Sequence, residues 1–323
     1  MVAISEIRRS NASYAAQDHH GLVCVFAGAT AGIGAATLRE MVGLLRSSTF
    51  YVLGRKPDRY QHKLDELRTI GPTNDIVFIE TQIALISGID KACNLIRGAT
   101  EQVDIICVSP GGMPFQGAVY TKEGLESCFA VSYYSRLRLI SKLLPLLHKS
   151  PQPRVLSILN GTKEKKIDND DIGLEKRWGI PAVVNHTTMC TSLAFDHLAS
   201  TDTQKHITFL HVTPGFVYTD TPRTAHPSKS DGLAWWAFIS FVQIVSGWII
   251  KYFGMAAKES GERHAYELTS DKFVPGSWRV SHLNDIVPDK QVLVRYREDG
   301  WGDKIWDFTV GVWEKALGKG VDP

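Results

Sequence analysis

Gly28, Gly32 and Gly34, spaced Gly-x-x-x-Gly-x-Gly, stand between an apolar run and a helix-like stretch. The run Leu22-Val23-Cys24-Val25-Phe26-Ala27 reads as a buried strand, and the residues from Ala35 to Leu45 read as a helix. A strand, a glycine turn and a helix start are the parts of a phosphate cradle. Glycine lets the backbone approach a pyrophosphate, and the helix end offers free N–H groups and the positive end of its dipole. Thr30 and the amides of Gly32, Ile33 and Gly34 would meet the pyrophosphate and a ribose. Two other chemistries lack a signal: no His/Cys cluster has metal-ligand spacing, and no Gly-x-Ser-x-Gly nucleophile elbow occurs. No metal is therefore expected.

The cradle needs a frame. Strand candidates fall at 22–27, 49–54, 75–80, 103–108, 154–159 and 206–212, and helical stretches at about 34–46, 60–70, 86–100, 122–148 and 181–200. Short, continuously apolar strands alternating with helices predict an α/β fold. Its parallel sheet is doubly wound and Rossmann-like, with a ligand at the strands' carboxyl ends. From Thr219 to about Phe253 the alternation breaks, and the remainder carries Pro275, Pro288 and one helix at 303–316. We read residues 1–323 as a single domain, with 219–255 as an apolar substrate lid and 272–323 as a C-terminal cap.

Several stretches tie this frame to a known family. They are Val25-Phe26-Ala27-Gly28-Ala29-Thr30-Ala31-Gly32-Ile33-Gly34, Ser109-Pro110-Gly111, Tyr133-Tyr134-Ser135-Arg136, Pro214-Gly215-Phe216-Val217-Tyr218-Thr219 and Glu259-Ser260-Gly261-Glu262-Arg263. Through them the chain resembles the short-chain dehydrogenases/reductases, and more narrowly the divergent members of fungal natural-product clusters. The resemblance runs from about Ser10 to Phe308. It implies a dinucleotide cofactor held by Gly28, Thr30, Gly32, Ile33, Gly34, Ser109, Pro214 and Gly215. Strand two ends in Gly54-Arg55-Lys56. An acid there would favour NAD, whereas Arg55 with Lys56 suits a ribose 2′-phosphate, so NADP(H) is the expected cofactor. The other reading of Arg55 is a solvated charge at a strand end. Two departures stand out: Gln82 replaces the family's Asp after strand three, and Val108-Ser109-Pro110-Gly111 replaces Asn-Asn-Ala-Gly, where Pro110 removes a backbone donor.

The family's chemistry uses a Tyr as acid/base, its pKa lowered by a Lys one helical turn on, with a Ser orienting the carbonyl and an Asn carrying a relay water. No Tyr-x-x-x-Lys occurs anywhere in these 323 residues, and 163–200 contains no Tyr at all. The resemblance puts Asn160 in the Ser place, Trp178 in the Tyr place, Ala182 in the Lys place and Ser132 in the relay Asn place. Indole offers no proton to exchange, and alanine lowers no pKa. Positions 178, 182 and 186 share one helix face, so His186 looks toward the side of the missing Lys and is a candidate acid or base. A hydrogen-bonded core position is its alternative. Asn160 is a candidate to hold a substrate oxygen, or else a turn residue before Gly161. The Tyr133–Tyr134 pair, beside Ser132, is the nearest tyrosine remnant, with helix packing as its other reading.

Composition bounds the partners. Hydrophobic residues make up 44% and charged residues 22%, as in ordinary globular proteins. A net charge of +2, without basic runs interleaved with aromatics, speaks against nucleic acid. Five scattered cysteines read as reduced packing thiols, and the polar first 21 residues lack a signal-peptide core, so the cytoplasm is the expected compartment. Residues 232–250 carry no charge. They are long enough to span a bilayer but interrupted by Ser240, Gln243 and Ser246, and we expect a wall for an apolar small-molecule substrate rather than an integral span. A homo-oligomer is only the family's habit. The first functional reading is a non-redox cyclisation, isomerisation or rearrangement of an apolar polycyclic metabolite. Beside it stand an NADPH-dependent carbonyl or imine reductase with a substitute proton donor, and a catalytically dead binding protein.

Overall fold

A computed structural model of the chain describes residues 1–17, 19–112, 117–218 and 254–319. After helix α1 (Ile4–Ala15), strands and helices alternate: β1 (Val23–Ala27), α2 (Gly32–Leu44), β2 (Thr49–Gly54), α3 (Pro57–Ile70), β3 (Asp75–Glu80), α4 (Ile86–Ala99) and β4 (Ile105–Val108). A turn at Ser127–Phe129 and a π-helical turn at Ala130–Tyr134 lead into α5 (Ser135–Leu147), followed by β5 (Arg154–Ile158), α6 (Ile180–Thr201) and β6 (Thr208–Val212). Two short strands, β7 (Val217–Tyr218) and β8 (Met255–Ala256), pair with each other. The chain ends in α7 (Ala257–Thr269), β9 (Gly276–Val280), α8 (Gln291–Glu298) and α9 (Trp301–Lys319).

Seven strands form one parallel sheet in the order β3-β2-β1-β4-β5-β6-β9. The strands are apolar on both sides because both faces are covered. In β1, Val23, Val25 and Ala27 enter one core with Ile89, Leu137 and Phe195, while Cys24 and Phe26 enter the other with Leu38, Met41 and Ala265. All five cysteines are free.

The C-terminal stretch expected to be a cap does more: β9 is the sheet's seventh strand, paired with β6 from Thr208↔Gly276 to Val212↔Val280. Its buried Arg279 is held by Asp196 at 2.8 Å and Asp289 at 2.9 Å. Helix α7, also unexpected, crosses α2 so closely that a Cβ on Gly261 would lie 2.6 Å from Ala36 O. The uncharged stretch 232–250, and nearly all of the expected lid at 219–255, lie outside the described residues. Among the described residues, no helix is long and apolar enough to cross a membrane.

Candidate active site

The sheet reverses its strand order between β1 and β4, and there the loops diverge to open a crevice. A cavity of about 740 Å³ occupies it. The wall is built from strand ends: Gly28 and Thr30 after β1, Gly54 and Arg55 at β2, Gln82 after β3, Ser109 to Gly111 after β4, Leu159 after β5, and Pro214 and Gly215 after β6.

The glycine loop has the form a phosphate requires. Gly28 and Gly32 take left-handed φ values of +82° and +62°. A Cβ on Gly28 would sit 2.4 Å from Pro110 N, and one on Gly34 would sit 2.1 Å from Ser109 Oγ. Helix α2 starts in the wall with Gly32, Ile33 and Gly34, and its N-cap, Ala31, offers no side-chain acceptor. Its first N–H groups thus remain for a ligand. The loop is braced from behind: Ser109 Oγ donates to Gly28 O at 3.0 Å, Lys63 Nζ to Thr30 O at 2.9 Å, and Tyr60 OH to Ala29 O at 3.3 Å. These features fit the pyrophosphate of a dinucleotide. Arg55 lines the same cavity. Lys56 does not: it is the exposed, left-handed residue that begins α3, with φ +68°.

None of the five residues expected to do chemistry is among those lining the cavity. His186 is a corrected expectation. Its Nδ1–H donates to Ile172 O at 2.9 Å, and its Nε2 accepts the Asp168 N–H at 2.9 Å. Burial pushes its pKa down, so the ring is neutral, and both nitrogens are spent on holding the loop at 168–172. Trp178 packs with Ala182 against the core, and its Nε1 is buried without a partner. Tyr133 is buried, its hydroxyl 2.7 Å from Thr309 Oγ1, and burial drives its pKa far up. Ser132 is buried, 3.8 Å from Cys128 Sγ. Asn160 stands one residue past the wall, and its backbone carbonyl accepts the N–H groups of Thr162 and Lys163 in a tight turn. That turn rests on a buried chain. The Asn160 N–H meets His211 Nε2 at 3.5 Å, His211 Nδ1–H donates to Ser192 Oγ at 2.8 Å, and Ser192 donates to Glu164 at 2.8 Å. Gly161 has no room for a side chain, because a Cβ would fall 1.8 Å from His211 O.

The group that residue spacing missed is Arg136. It lines the cavity, yet only 1% of its surface is exposed. Nε donates to Pro110 O at 3.1 Å, and Nη1 faces Val108 O at 3.1 Å, Ser157 Oγ at 2.9 Å and Ile158 O at 3.0 Å. Nη2 donates to Pro110 O as well. All these acceptors are neutral. Burial pushes the guanidinium down to about 9, so it is still a cation at neutral pH, and none of its bonded acceptors among the described residues is a carboxylate. A guanidinium has five N–H groups, and one on Nη2 has no acceptor among the described residues. The π-helical turn just ahead of Arg136 also supplies Val131 to the wall; such turns recur at functional sites. Helical spacing alone does not single out Arg136 from Arg138 and Lys142 on the same helix, and its partners are backbone carbonyls and a serine hydroxyl, which no pattern records.

Comparison with known proteins places this geometry. Residues 22–166 match a family model described as short chain dehydrogenase. The chain is 32% identical to oxidoreductase lepF of Aspergillus flavus, with 99% of each chain covered. It is 30% identical to oxidoreductase AN1596 of Emericella nidulans, covering 98% of this chain and 99% of that one. In fold it is similar to an NADPH-bound carbonyl reductase from chicken fatty liver: TM-score 0.57 at 14% identity, over 83% of this chain and 99% of that chain.

Proposed function

The chain belongs to the short-chain dehydrogenase/reductase family, and on that premise we propose an NADP(H)-dependent reductase of a carbonyl or imine on an apolar small molecule. In this reading Arg136 takes over charge stabilisation from the missing Tyr and Lys. The observation that carries it is the buried guanidinium, bonded to no carboxylate among the described residues, in the wall that also holds the glycine loop. NADPH, when bound, supplies a hydride.

Gly32, Ile33 and Gly34 would hold the pyrophosphate through their N–H groups, and Arg55 the 2′-phosphate through paired hydrogen bonds. For a carbonyl, hydride addition at carbon leaves negative charge on oxygen. The spare Nη2–H of Arg136 donates to that oxygen, in a recess where water screens little. The guanidinium keeps its own protons, so the last proton comes from solvent water. His186 has no part in this; it sets the loop at 168–172. The NADPH-bound reductase among the structural neighbours and the oxidoreductase names of the relatives support the redox reading.

A second reading rests on Trp178 and Ala182 standing where Tyr and Lys belong. The same cation would hold an enolate oxygen while the substrate isomerises or cyclises, with no net change in the cofactor. One experiment separates the two. Purified protein is supplied with NADPH and a panel of apolar cyclic ketones, and reduced-nicotinamide absorbance is followed beside product mass. Reduction consumes one NADPH per product; product without NADPH loss sinks the reductase reading. Arg136→Met should lower kcat by about 10²–10³, the usual cost of one oxyanion donor, and Arg136→Lys should recover part of it. A folded Arg136→Met with unchanged kcat removes Arg136 from the chemistry.

A further inference from the structure

We propose that His148, Asp202 and His206 form a zinc site on the sheet rim opposite the cavity. The three residues close one corner of the fold. His148 follows the last residue of α5, Asp202 that of α6, and His206 lies two residues ahead of β6. They gather at the amino ends of the strands, away from the crevice.

The distances are the argument. His148 Nδ1 lies 3.6 Å from Asp202 Oδ1, and His206 Nδ1 lies 3.7 Å from Asp202 Oδ2. One ligand atom from each of the three residues falls within 4.8 Å of the others. Both nitrogen–oxygen gaps are too long for a hydrogen bond. Tetrahedral zinc holds nitrogen and oxygen ligands at about 2.0–2.2 Å, which sets neighbouring ligand atoms about 3.3 Å apart. Small rotations of the side chains close the difference.

The orphaned atoms point the same way. Nδ1 of His148 and both ring nitrogens of His206 are buried without a hydrogen-bond partner among the described residues. Buried polar atoms are nearly always satisfied, so three around one carboxylate call for an explanation. Asp202 is buried and oriented by the N–H groups of Gln204 at 3.1 Å, His206 at 3.0 Å and Ile207 at 3.1 Å. The nearby Lys149 is turned toward Glu101 at 3.1 Å and leaves the carboxylate alone. The two histidine side chains keep 27% and 20% exposure, so the cluster lies just beneath the surface with its ligand atoms covered. Two imidazoles and one carboxylate suit zinc; magnesium and calcium prefer oxygen alone. A bound zinc would tie the ends of α5 and α6 to the start of β6.

The test uses the whole protein, stripped with a chelator and titrated with zinc chloride by calorimetry. One equivalent should bind at micromolar or tighter affinity and raise the thermal midpoint, with magnesium and calcium doing neither. His148→Gln and His206→Gln should each weaken binding at least about tenfold. Asp202 is left intact because it caps three N–H groups. No saturable zinc binding overturns the site. Unchanged binding in both variants overturns it too, since the chain has 11 histidines and the ion would then sit elsewhere. If either variant fails to fold, cobalt titration of the wild type decides. Intense visible bands without a thiolate charge-transfer band support the site, and weak octahedral bands overturn it.

Discussion

Helix α2 begins inside the cavity wall, and Gly34 is its third residue. Gly34→Ala would place a methyl 2.1 Å from Ser109 Oγ and 2.6 Å from Gly28 O. The Ser109 hydroxyl can rotate aside, losing its 3.0 Å hydrogen bond to Gly28 O, worth about 1 kcal/mol. The Gly28 carbonyl is backbone and has no such freedom. Helix start and loop must part by several tenths of an ångström, at an overpacking cost of about 1–3 kcal/mol. The sum, about 2–4 kcal/mol, is affordable in a domain stable by about 5–15 kcal/mol, so the variant folds. The displacement also pulls the helix N–H groups off a bound phosphate. Losing one charge-assisted hydrogen bond, about 1.5–3 kcal/mol, weakens NADPH binding by about 10–150-fold. Urea unfolding reads the first effect and NADPH fluorescence titration the second. Gly112→Ala is the control, since nothing stands within 4 Å of its Cβ. Adding Ser109→Gly to Gly34→Ala should restore part of the stability, as expected for two residues in contact. Wild-type NADPH affinity in a Gly34→Ala protein that has lost stability would refute the assignment of this loop as the phosphate cradle.

Three further outcomes follow from the geometry. Arg55→Asp should cost NADPH about 10–100-fold in affinity while improving NADH, read by the same titration; equal loss of both would show a role other than 2′-phosphate recognition. His186→Ala should destabilise the fold by about 1–3 kcal/mol, by freeing Asp168 N and Ile172 O, yet leave the limbs of the pH–rate profile where they were; a lost limb would restore it as an acid or base. His211 is fully buried, and burial, then Arg279 and Arg136, press its pKa well below the ordinary histidine range. The unfolded chain therefore binds a proton that the folded one refuses. Its contribution is complete above about pH 6.5 and is lost as pH falls below that. Urea unfolding at about pH 7.5 and 5.5 should show a fall shallower in His211→Asn by up to about 1.4 kcal/mol per pH unit, and equal slopes would contradict it.

The sheet's first six strands were legible because each is a short apolar run, largely buried apart from the edge strand β3, and the observed limits differ by at most two residues. Most of what was missed shares one cause. Helix α7 reads as a polar stretch, yet Glu262, Arg263, His264 and Glu267 are all buried. Glu262 pairs with Arg8, Arg263 with Glu259 and Asn284, and His264 with Glu267. Strand β9 carries Arg279 in its centre, neutralised by Asp196 from α6 and Asp289. Hydrophobic patterning cannot see a charge cancelled by a partner 83 residues away. Arg136 was hidden for a different reason: its partners are neutral carbonyls and one hydroxyl brought from β4, the turn after it and β5. The glycine turn between β1 and α2, by contrast, was legible, because positive φ at Gly28 and Gly32 and close packing at Gly34 demand glycine there. His186 was misjudged because helical spacing gives a direction but not a depth: it looks toward the site's side and stops in the core.

The return of the chain from β6 to β9 carries an evolutionary consequence. After Val212 the backbone leaves the sheet, and it rejoins in parallel register at Gly276. The re-entry point is secured by the β6 ladder and by Arg279's two carboxylates. Closing a loop costs only about 0.6 kcal/mol more for each doubling of its length. Added length between those anchors therefore costs little in chain entropy, provided that α7, packed on α2 within the excursion, is kept. The excursion's first residues, Pro214 to Val217, already stand in the cavity wall. The scaffold divides its tasks: the ends of β1, β2 and β4 build the wall around the glycine loop, and the chain after β6 adds to that wall before returning through α7 to β9.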